Sequence, residues 1–201
     1  SLRVMINIIG GIKKKSKLDV PTKQVRPTSS IKRESIFAIL ESNALKKNID
    51  IYTDKFFVDL FAGSGSLGLE SISRGVKFCY FYELDNEVIR ILNDNCSKIC
   101  KNNQFLIIKD DIRKSSFGEI SHPISVVFID PPYALKKFKK IISNLLKTNL
   151  ILQNAFIVIE TEKKTKIDFP STIEIMDERY YGKTKITFFS IKSNWDIFLL
   201  E

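Results

Sequence analysis

Hydrophobic and polar positions form alternating blocks from residue 56 onward. Short runs of β-branched and aromatic residues are separated by segments with apolar residues at helical spacing. The runs predict strands at 56–62, 77–83, 105–111, 125–131 and 155–161. The segments between them predict helices at 66–74, 86–101 and 135–149. This alternation is typical of strand-helix-strand units, so the pattern predicts an α/β fold with a mostly parallel sheet.

The pattern changes at both ends of the chain. After residue 170, "TIEIMDERY" and "TKITFFSIK" flank Gly182 and predict an antiparallel hairpin. Before residue 55, "RVMINIIGG" and "KLDVP" predict a small hairpin, and "TSSIKRESIFAILESN" predicts a helix capped by Thr28, Ser29 or Ser30. We therefore expect an N-terminal extension at residues 1–50 and a domain that carries the sheet at residues 51–201.

Composition supports a folded protein. The 201 residues are 44% hydrophobic and 27% charged, which suits a chain that buries a proper core. No stretch approaches the roughly 18 apolar residues of a membrane span, so we expect a soluble, cytoplasmic protein that does not associate with membranes. The three cysteines are predicted to be buried thiols rather than metal ligands.

Positive charge is concentrated at the N-terminus. The formal net charge is +9, and residues 1–33 contain nine lysines and arginines against one acid, Asp19. A field of this kind suits a polyanion, above all a nucleic acid, although a solvated lysine-rich tail is the alternative. On this basis Lys13, Lys14 and Lys15 are predicted to contact nucleic acid.

A glycine-rich loop follows the first strand of the sheet. "VDLFAGSGSLGLE" places Gly63, Gly65 and Gly68 in a G-x-G-x-x-G spacing that opens a helix, and Glu83 ends the next strand. Glycines permit a sharp turn and a close approach of backbone to ligand, while Glu83 could accept two ribose hydroxyls. The loop therefore predicts a ligand that contains a nucleoside.

Two further acids narrow the choice of nucleoside. Asp59 lies four residues before Gly63, where a carboxylate would repel a pyrophosphate but attract the amino group or sulfonium of S-adenosylmethionine. Asp111 could accept a hydrogen bond from the adenine amine, with Ile112 against the ring. The alternatives are that Asp59 caps the end of a strand and that Asp111 caps a helix.

The strand signal at "VVFIDPPYAL" ends in an unusual sequence. Asp130, Pro131, Pro132 and Tyr133 follow the run, and we expect them to face the same crevice as the glycine loop. The Asp130 carboxylate and the Pro131 carbonyl can accept both N–H groups of an exocyclic base amine, and the prolines fix the direction of that carbonyl. Tyr133 offers a flat face for an extruded base. The alternative is that the prolines only end the strand.

Together these motifs resemble the class I S-adenosylmethionine-dependent methyltransferases that methylate exocyclic amines of bases. In order along the chain, the segments also resemble the RsmD family of guanine-N(2) methyltransferases of small-subunit ribosomal RNA. The resemblance covers residues 3–191. The segments that carry it are "INIIGG", "RPTSSIKRESIFAIL", "VDLFAGSGSLGLESISRG", "YELD", "IDPPY" and "YYGKTKITFF".

The resemblance implies a Rossmann-like class I methyltransferase fold, with a mostly parallel seven-stranded sheet that ends in an antiparallel hairpin and a small basic N-terminal extension. It also implies methylation of one guanine in 16S ribosomal RNA, free or in the small subunit, by a monomer that needs no metal. The implied base-site residues are Asp130, Pro131 and Tyr133. The implied cofactor residues are Asp59, Phe61, Gly63, Gly65, Glu83, Leu84, Asp111 and Ile112. Arg26, Thr28 and Arg33 are implied to contact RNA or support the active site.

Three other functions are compatible with parts of the sequence. A DNA amino-methyltransferase can also use Asp-Pro-Pro-Tyr, but usually carries a target-recognition region for which no segment is long enough. A nicotinamide-dependent oxidoreductase fits the glycines and Glu83 but gives no role to Asp130 and Tyr133. A non-catalytic RNA-binding assembly factor could be built on the same fold.

Overall fold

The fold is given by a computed structural model, which describes residues 4–22, 28–132, 135 and 137–192. The chain divides into two compact units, Ser1–Asp110 and Asp111–Glu201. The predicted boundary after residue 50 stays a prediction. Arg26 and Tyr133 lie outside the described residues.

The first unit begins with the predicted hairpin and helix. Strands β1 (Met5–Asn7) and β2 (Lys17–Asp19) pair antiparallel. Helix α1 (Ser30–Lys46) follows, and the Ser29 side chain accepts the Lys32 N–H, so Ser29 is the N-cap among the three candidates.

The rest of the first unit alternates strands and helices as predicted. It contains β3 (Phe56–Leu60), α2 (Ser66–Ser73), β4 (Phe78–Tyr82), α3 (Asn86–Ile99), a 3₁₀ turn (Asn102–Gln104) and β5 (Phe105–Ile108). The strands lie in the order β5-β4-β3 and are all parallel. The first strand stops at Leu60, two residues earlier than predicted, because Phe61 has a φ of 56° that no strand residue adopts.

The second unit contributes the remaining strands of the sheet. It contains β6 (Ile124–Ile129), α4 (Phe138–Leu146), β7 (Ile151–Glu162), β8 (Ile173–Tyr181) and β9 (Thr184–Ile191). Their order is β6-β7-β9-β8, with β6 parallel to β7 and β9 antiparallel to both of its neighbours. The predicted fold class is therefore confirmed: seven strands form a mostly parallel sheet with a terminal antiparallel hairpin.

Helices α1 and α3 have 17 and 14 residues and each buries one face, whereas all eight residues of α2 are buried. In α3 the apolar stripe consists of Val88, Leu92, Cys96 and Ile99, which are buried as the spacing predicts. Cys79 is also buried and Cys100 is partly exposed. Across the described parts of the chain, no helix is both long enough and apolar enough to cross a membrane.

Candidate active site

The loop after β3 adopts an unusual backbone conformation. Phe61, Gly63 and Gly65 have φ angles of 56°, 57° and 83°, so every second residue is left-handed. Glycine adopts this conformation easily, whereas a phenylalanine does so only at a cost of about 1–3 kcal/mol. Backbones that alternate in this way can turn successive N–H groups toward one point and form anion-binding concavities. In this loop the Ala62 N–H donates to the Tyr82 carbonyl at 2.9 Å and the Gly65 N–H to the Ala62 carbonyl at 2.8 Å, and these bonds fix the turn that leads into α2.

Two glycines allow α2 to pack closely against its neighbours. A Cβ atom on Gly65 would lie 2.6 Å from Cδ1 of Leu92, and one on Gly68 would lie 2.3 Å from Cε1 of Phe81. Both distances are far below van der Waals contact. Packing against the Phe81 ring thus favours glycine at position 68, while at position 65 the φ of 83° favours it.

Glu83 connects the glycine loop to the end of β4. Gly63 N–H donates to its Oε1 at 3.1 Å, while Leu84 and Asp85 N–H donate to its Oε2 at 2.9 and 3.1 Å. A carboxylate offers about four acceptor positions, so the three backbone donors orient Glu83 and leave capacity for a ligand hydroxyl. Leu84, beside it, is 49% exposed and available to contact an apolar ring.

Asp59 holds the first turn of α2. Its carboxylate is 2% exposed, and its Oδ2 accepts the Gly68 N–H at 3.1 Å. The N-cap position of α2 is Gly65, which has no side chain to accept such a bond. Asp59 supplies the missing acceptor from the neighbouring strand, where the positive end of the helix dipole favours its charge. The carboxylate therefore does more than end a strand.

Asp111 has a partner that sequence reasoning missed. The Arg113 guanidinium donates two hydrogen bonds of 2.9 Å to the Asp111 carboxylate, and the Arg113 backbone N–H donates a third at 3.1 Å. These bonds, chiefly those from the guanidinium, lower the pKa of Asp111 to about 2. Asp111 is thus a fixed negative acceptor at neutral pH, next to the buried side chain of Ile112. The signal in the sequence was an arginine two residues after the acid.

Asp130 and Pro131 stand where a buried strand ends. Every residue of β6 is buried, and the strand stops at Ile129, immediately before Asp130. Asp130 and Pro131 are both partly exposed. The Leu135 N–H donates to the Pro132 carbonyl at 3.0 Å. The strand therefore ends two residues before the predicted bound at residue 131, and the motif begins directly after it.

Arg33 lies in a buried ion pair, which argues against the predicted contact of its side chain with RNA. The side chains of Arg33 and Glu70 are both fully buried, with Nε of Arg33 3.4 Å from Oε1 of Glu70. The Arg33 guanidinium also donates to the Asn7 carbonyl. Burial lowers the pKa of Arg33, while the nearby Glu70 carboxylate raises it. Thr28 is 3% exposed and is equally inaccessible.

The Glu70 carboxylate also accepts hydrogen bonds from the N-terminal hairpin. Ile9 and Gly10 N–H groups donate to its carboxylate at 2.8 and 2.9 Å, and Arg74 Nε donates at 3.1 Å. Arg33 and Glu70 thus fasten the hairpin to α2, the helix that the glycine loop opens. Sequence reasoning missed Glu70, which it took only as the end of the loop motif.

The basic turn of the hairpin is also held in place. Ser73 accepts the Ile12 N–H at its carbonyl, at 2.8 Å, and the Lys13 N–H at its hydroxyl, at 2.9 Å. Lys14 and Lys15 are exposed and Lys13 is partly exposed. All three predicted lysines are therefore accessible to a polyanion.

The chain matches a protein family described as conserved hypothetical protein 95 over residues 6–190. Ribosomal RNA small subunit methyltransferase D of Haemophilus influenzae is 32% identical over 184 residues, or 88% of this chain and 89% of that protein. The chain belongs to the RsmD family. The protein of the same name from Escherichia coli K12 is 30% identical over 158 residues, or 78% of this chain and 75% of that protein.

Comparison of structures agrees with membership in the RsmD family. A candidate methylase of Haemophilus influenzae, known from a crystal structure, superposes with a TM-score of 0.76 at 28% identity. The match covers 94% of this chain and all of that one. The resemblance to the RsmD family that the motifs indicated is therefore confirmed, and the matched residues include the glycine loop, Glu83, Asp111 and Asp130.

Proposed function

We propose that this protein transfers a methyl group from S-adenosylmethionine to the exocyclic N2 amine of a guanine in 16S ribosomal RNA. One observation above all supports the proposal: a fully buried strand ends at Asp130 and Pro131 in a chain of the RsmD family. Relatives at 30% and 32% identity are named as methyltransferases of small-subunit ribosomal RNA. The roles of Asp130 and Pro131 follow from what an exocyclic amine needs in order to attack a methyl group.

The first unit contains groups that fit S-adenosylmethionine, which when bound supplies an electrophilic methyl group on a positively charged sulfur. The amino end of α2, which follows the left-handed loop from Phe61 to Gly65, carries the positive end of a helix dipole and suits the carboxylate of the methionine portion. Glu83 has acceptor capacity left for the ribose hydroxyls, and Leu84 can cover the adenine ring. Asp59 provides negative charge for the amino group and the sulfonium.

In the second unit, Asp111 and Ile112 complete the proposed set. Asp111 is negative at neutral pH because Arg113 lowers its pKa, so it can accept a hydrogen bond from the adenine amine. Ile112 is apolar and suits contact with the ring.

Asp130 and Pro131 act on the amine of the guanine. The nitrogen lone pair is delocalised into the base, and positive charge builds on the nitrogen as it attacks the methyl group. The Asp130 carboxylate and the Pro131 carbonyl accept the two N–H bonds, favour a pyramidal nitrogen and stabilise that charge. A single preorganised group of this kind contributes about 10²- to 10³-fold to the rate. The proton that the nitrogen then loses passes to Asp130 and on to water, since Asp130 is partly exposed.

Tyr133 is proposed to stack on the extruded guanine. Stacking of a base on an aromatic side chain contributes about 1–3 kcal/mol. Alignment of the amine with the methyl group supplies much of the remaining rate, about 7–11 kcal/mol where geometry is near ideal. The reaction then needs no metal and no protein nucleophile.

We further propose that the substrate is the small ribosomal subunit or its 16S RNA, met by a cytoplasmic monomer. Lys13, Lys14 and Lys15 lie on a turn fixed to α2 and can contact phosphates. Arg26 is assigned to the same surface because of its position in the family motif, whereas Arg33 and Thr28 support the hairpin from inside.

Labelled methyl transfer to four samples tests the proposal. The samples are small subunits and free 16S RNA from a strain that lacks this protein, duplex DNA, and subunits from the unmodified strain. We expect label in the first or second sample and none in the others. Label in DNA alone would support a DNA amino-methyltransferase. No transfer, together with tight binding of NAD and none of S-adenosylmethionine, would support an oxidoreductase.

A further inference from the structure

A cleft of about 600 Å³ opens in the first unit, at the amino ends of β4 and β5. The turn of the hairpin, the ends of α2 and α3, and the 3₁₀ turn form its walls. Four lysines from three segments line it: Lys13, Lys77, and the neighbouring Lys98 and Lys101. Its size lies within the range of small-molecule pockets. The cleft is distinct from the glycine loop, which lies at the carboxyl end of β3.

The cleft is strongly positive. No aspartate or glutamate is among its lining residues. Lys98 forms an ion pair of 3.0 Å with Asp19, whereas Lys13, Lys77 and Lys101 form no ion pair with any residue in the described ranges. Three lysines thus line the same cleft without a described carboxylate to neutralise them. Such a site suits an anion with more than one charge.

Helix dipoles explain only part of this arrangement. Lys98 lies in the last turn of α3, where a cation is ordinarily favoured. Lys77, however, precedes a strand, Lys101 follows the helix, and Lys13 comes from the hairpin. Their convergence results from the tertiary fold, because the hairpin is bonded to Ser73 at the end of α2.

The interior of the cleft suits a base. Ile72, Val76 and Ile99 supply an apolar floor. The amide groups of Asn103 and Gln104 stand beside it, and Gln104 Oε1 accepts the Lys101 N–H at 2.8 Å, which leaves the Gln104 NH₂ group to donate. Amides pair with the edges of unstacked bases in single-stranded RNA, while lysines contact its phosphates.

We propose that this cleft binds a single-stranded segment of the RNA substrate, with phosphates on Lys13, Lys77 and Lys101 and one unstacked base on the apolar floor. That the RNA is ribosomal rests on the proposed function. Lys77 and Glu83 lie at opposite ends of β4, six residues apart, or about 20 Å at 3.3 Å per residue. The cleft is therefore a second contact, remote from the nucleoside-binding end of the unit, which a continuous single-stranded segment of the RNA could reach while its guanine reacts.

A double variant, Lys77→Ala with Lys101→Ala, tests the cleft. Binding of fluorescent small-subunit RNA is measured from 50 to 200 mM salt, beside single-turnover methyl transfer. Each lost single-strand phosphate contact lowers the salt slope by about 0.7, so we expect a slope smaller by about 1.4 and an affinity about tenfold weaker. The KM for RNA should rise by the same factor, while the rate at saturating RNA and the affinity for S-adenosylmethionine stay unchanged.

Lys164→Ala with Lys166→Ala is the matched control, since it removes the same charge from exposed positions of the second unit. It should leave the salt slope and the KM unchanged. If the salt slope of RNA binding is unchanged in the cleft variant while the unaltered protein still transfers methyl groups, the cleft does not bind RNA and the proposed function stands. The proposed RNA contact would also be overturned if both double variants lost RNA affinity equally. The same holds if adenosine monophosphate bound the cleft as tightly as RNA does. If the unaltered protein methylates no RNA, the proposed function fails, and the binding measurement still shows whether the cleft contacts RNA.

Discussion

The Glu83 carboxylate accepts the Gly63 N–H at 3.1 Å, across twenty positions of the chain. Its other oxygen accepts the N–H groups of Leu84 and Asp85. One side chain therefore sets the glycine loop relative to the end of β4. If Glu83 also receives the ribose hydroxyls, loss of charge there should weaken cofactor binding by two routes at once.

Glu83→Gln is expected to weaken binding of S-adenosylmethionine by about 10- to 100-fold. An amide nitrogen cannot accept a backbone N–H, and a hydrogen bond to a charged group contributes about 1.5–3 kcal/mol. Isothermal titration calorimetry measures the affinity. Glu119→Gln, an exposed glutamate in the second unit, serves as control. Equal affinities in the two variants would show that Glu83 does not hold the ligand.

Asp130→Ala is expected to slow methyl transfer by about 10²- to 10³-fold, and Tyr133→Ala by about 5- to 150-fold, the equivalent of about 1–3 kcal/mol, while affinity for the cofactor changes little. Asp130 is proposed to stabilise charge on the amine and Tyr133 to hold the base, and neither is assigned to the cofactor. Single-turnover transfer and calorimetry measure the two properties. Asp177→Ala removes a carboxylate paired at the surface with Arg179 and should retain full activity. An unchanged rate of transfer in both the Asp130 and Tyr133 variants would contradict the assigned mechanism.

Glu70→Ala is expected to lower the free energy of unfolding by about 3–5 kcal/mol. Removal of one partner leaves the buried Arg33 charge uncompensated, together with two N–H groups of the hairpin. Urea denaturation gives the value. Arg179→Ala, which breaks an exposed pair, should change stability by less than about 1 kcal/mol. A loss in Glu70→Ala no larger than in this control would mean that the hairpin is not anchored through Glu70.

Arg113→Met should raise the pKa of Asp111 from about 2 toward its ordinary value near 3.9. Because the pKa of Asp111 is lower in the folded than in the unfolded protein, the ionised carboxylate stabilises the fold at any pH above about 4. This contribution to the free energy of unfolding is lost as the pH falls from about 4 through about 2. In Arg113→Met the free energy of unfolding should therefore fall less on acidification than in the unaltered protein. A carbon-detected NMR titration of the Asp111 carboxyl follows the change. Lys114→Met, which removes only a minor influence, should leave the pKa nearly unchanged, and a larger shift there than in Arg113→Met would reverse the assignment.

The sequence predicted the strand and helix order because periodicity and glycine turns are local signals. It also located the end of β6 to within two residues, since Asp130 and the two prolines follow the apolar run directly. Charge alone was less informative. Arg33 was predicted to contact RNA or to support the active site, but its fully buried pairing with Glu70 depends on three segments that meet only in the folded chain.

The lysines of the cleft illustrate the same limit. Lys77 and Lys101 are ordinary in a lysine-rich sequence, and only the tertiary structure brings them to one opening with Lys13. The pairing of Asp59 with Gly68 was likewise invisible, because it joins a strand to the next helix through a bond that no spacing rule specifies.

The central claim is methyl transfer to one guanine amine of small-subunit RNA. The most direct test treats small subunits from a strain lacking this protein with purified protein and labelled S-adenosylmethionine, then maps the modified nucleoside by mass spectrometry. We expect one N2-methylguanosine at a single position of 16S RNA, present with the unaltered protein and strongly reduced with Asp130→Ala. Label on an adenine or cytosine amine, or at no position of the RNA, would contradict the claim.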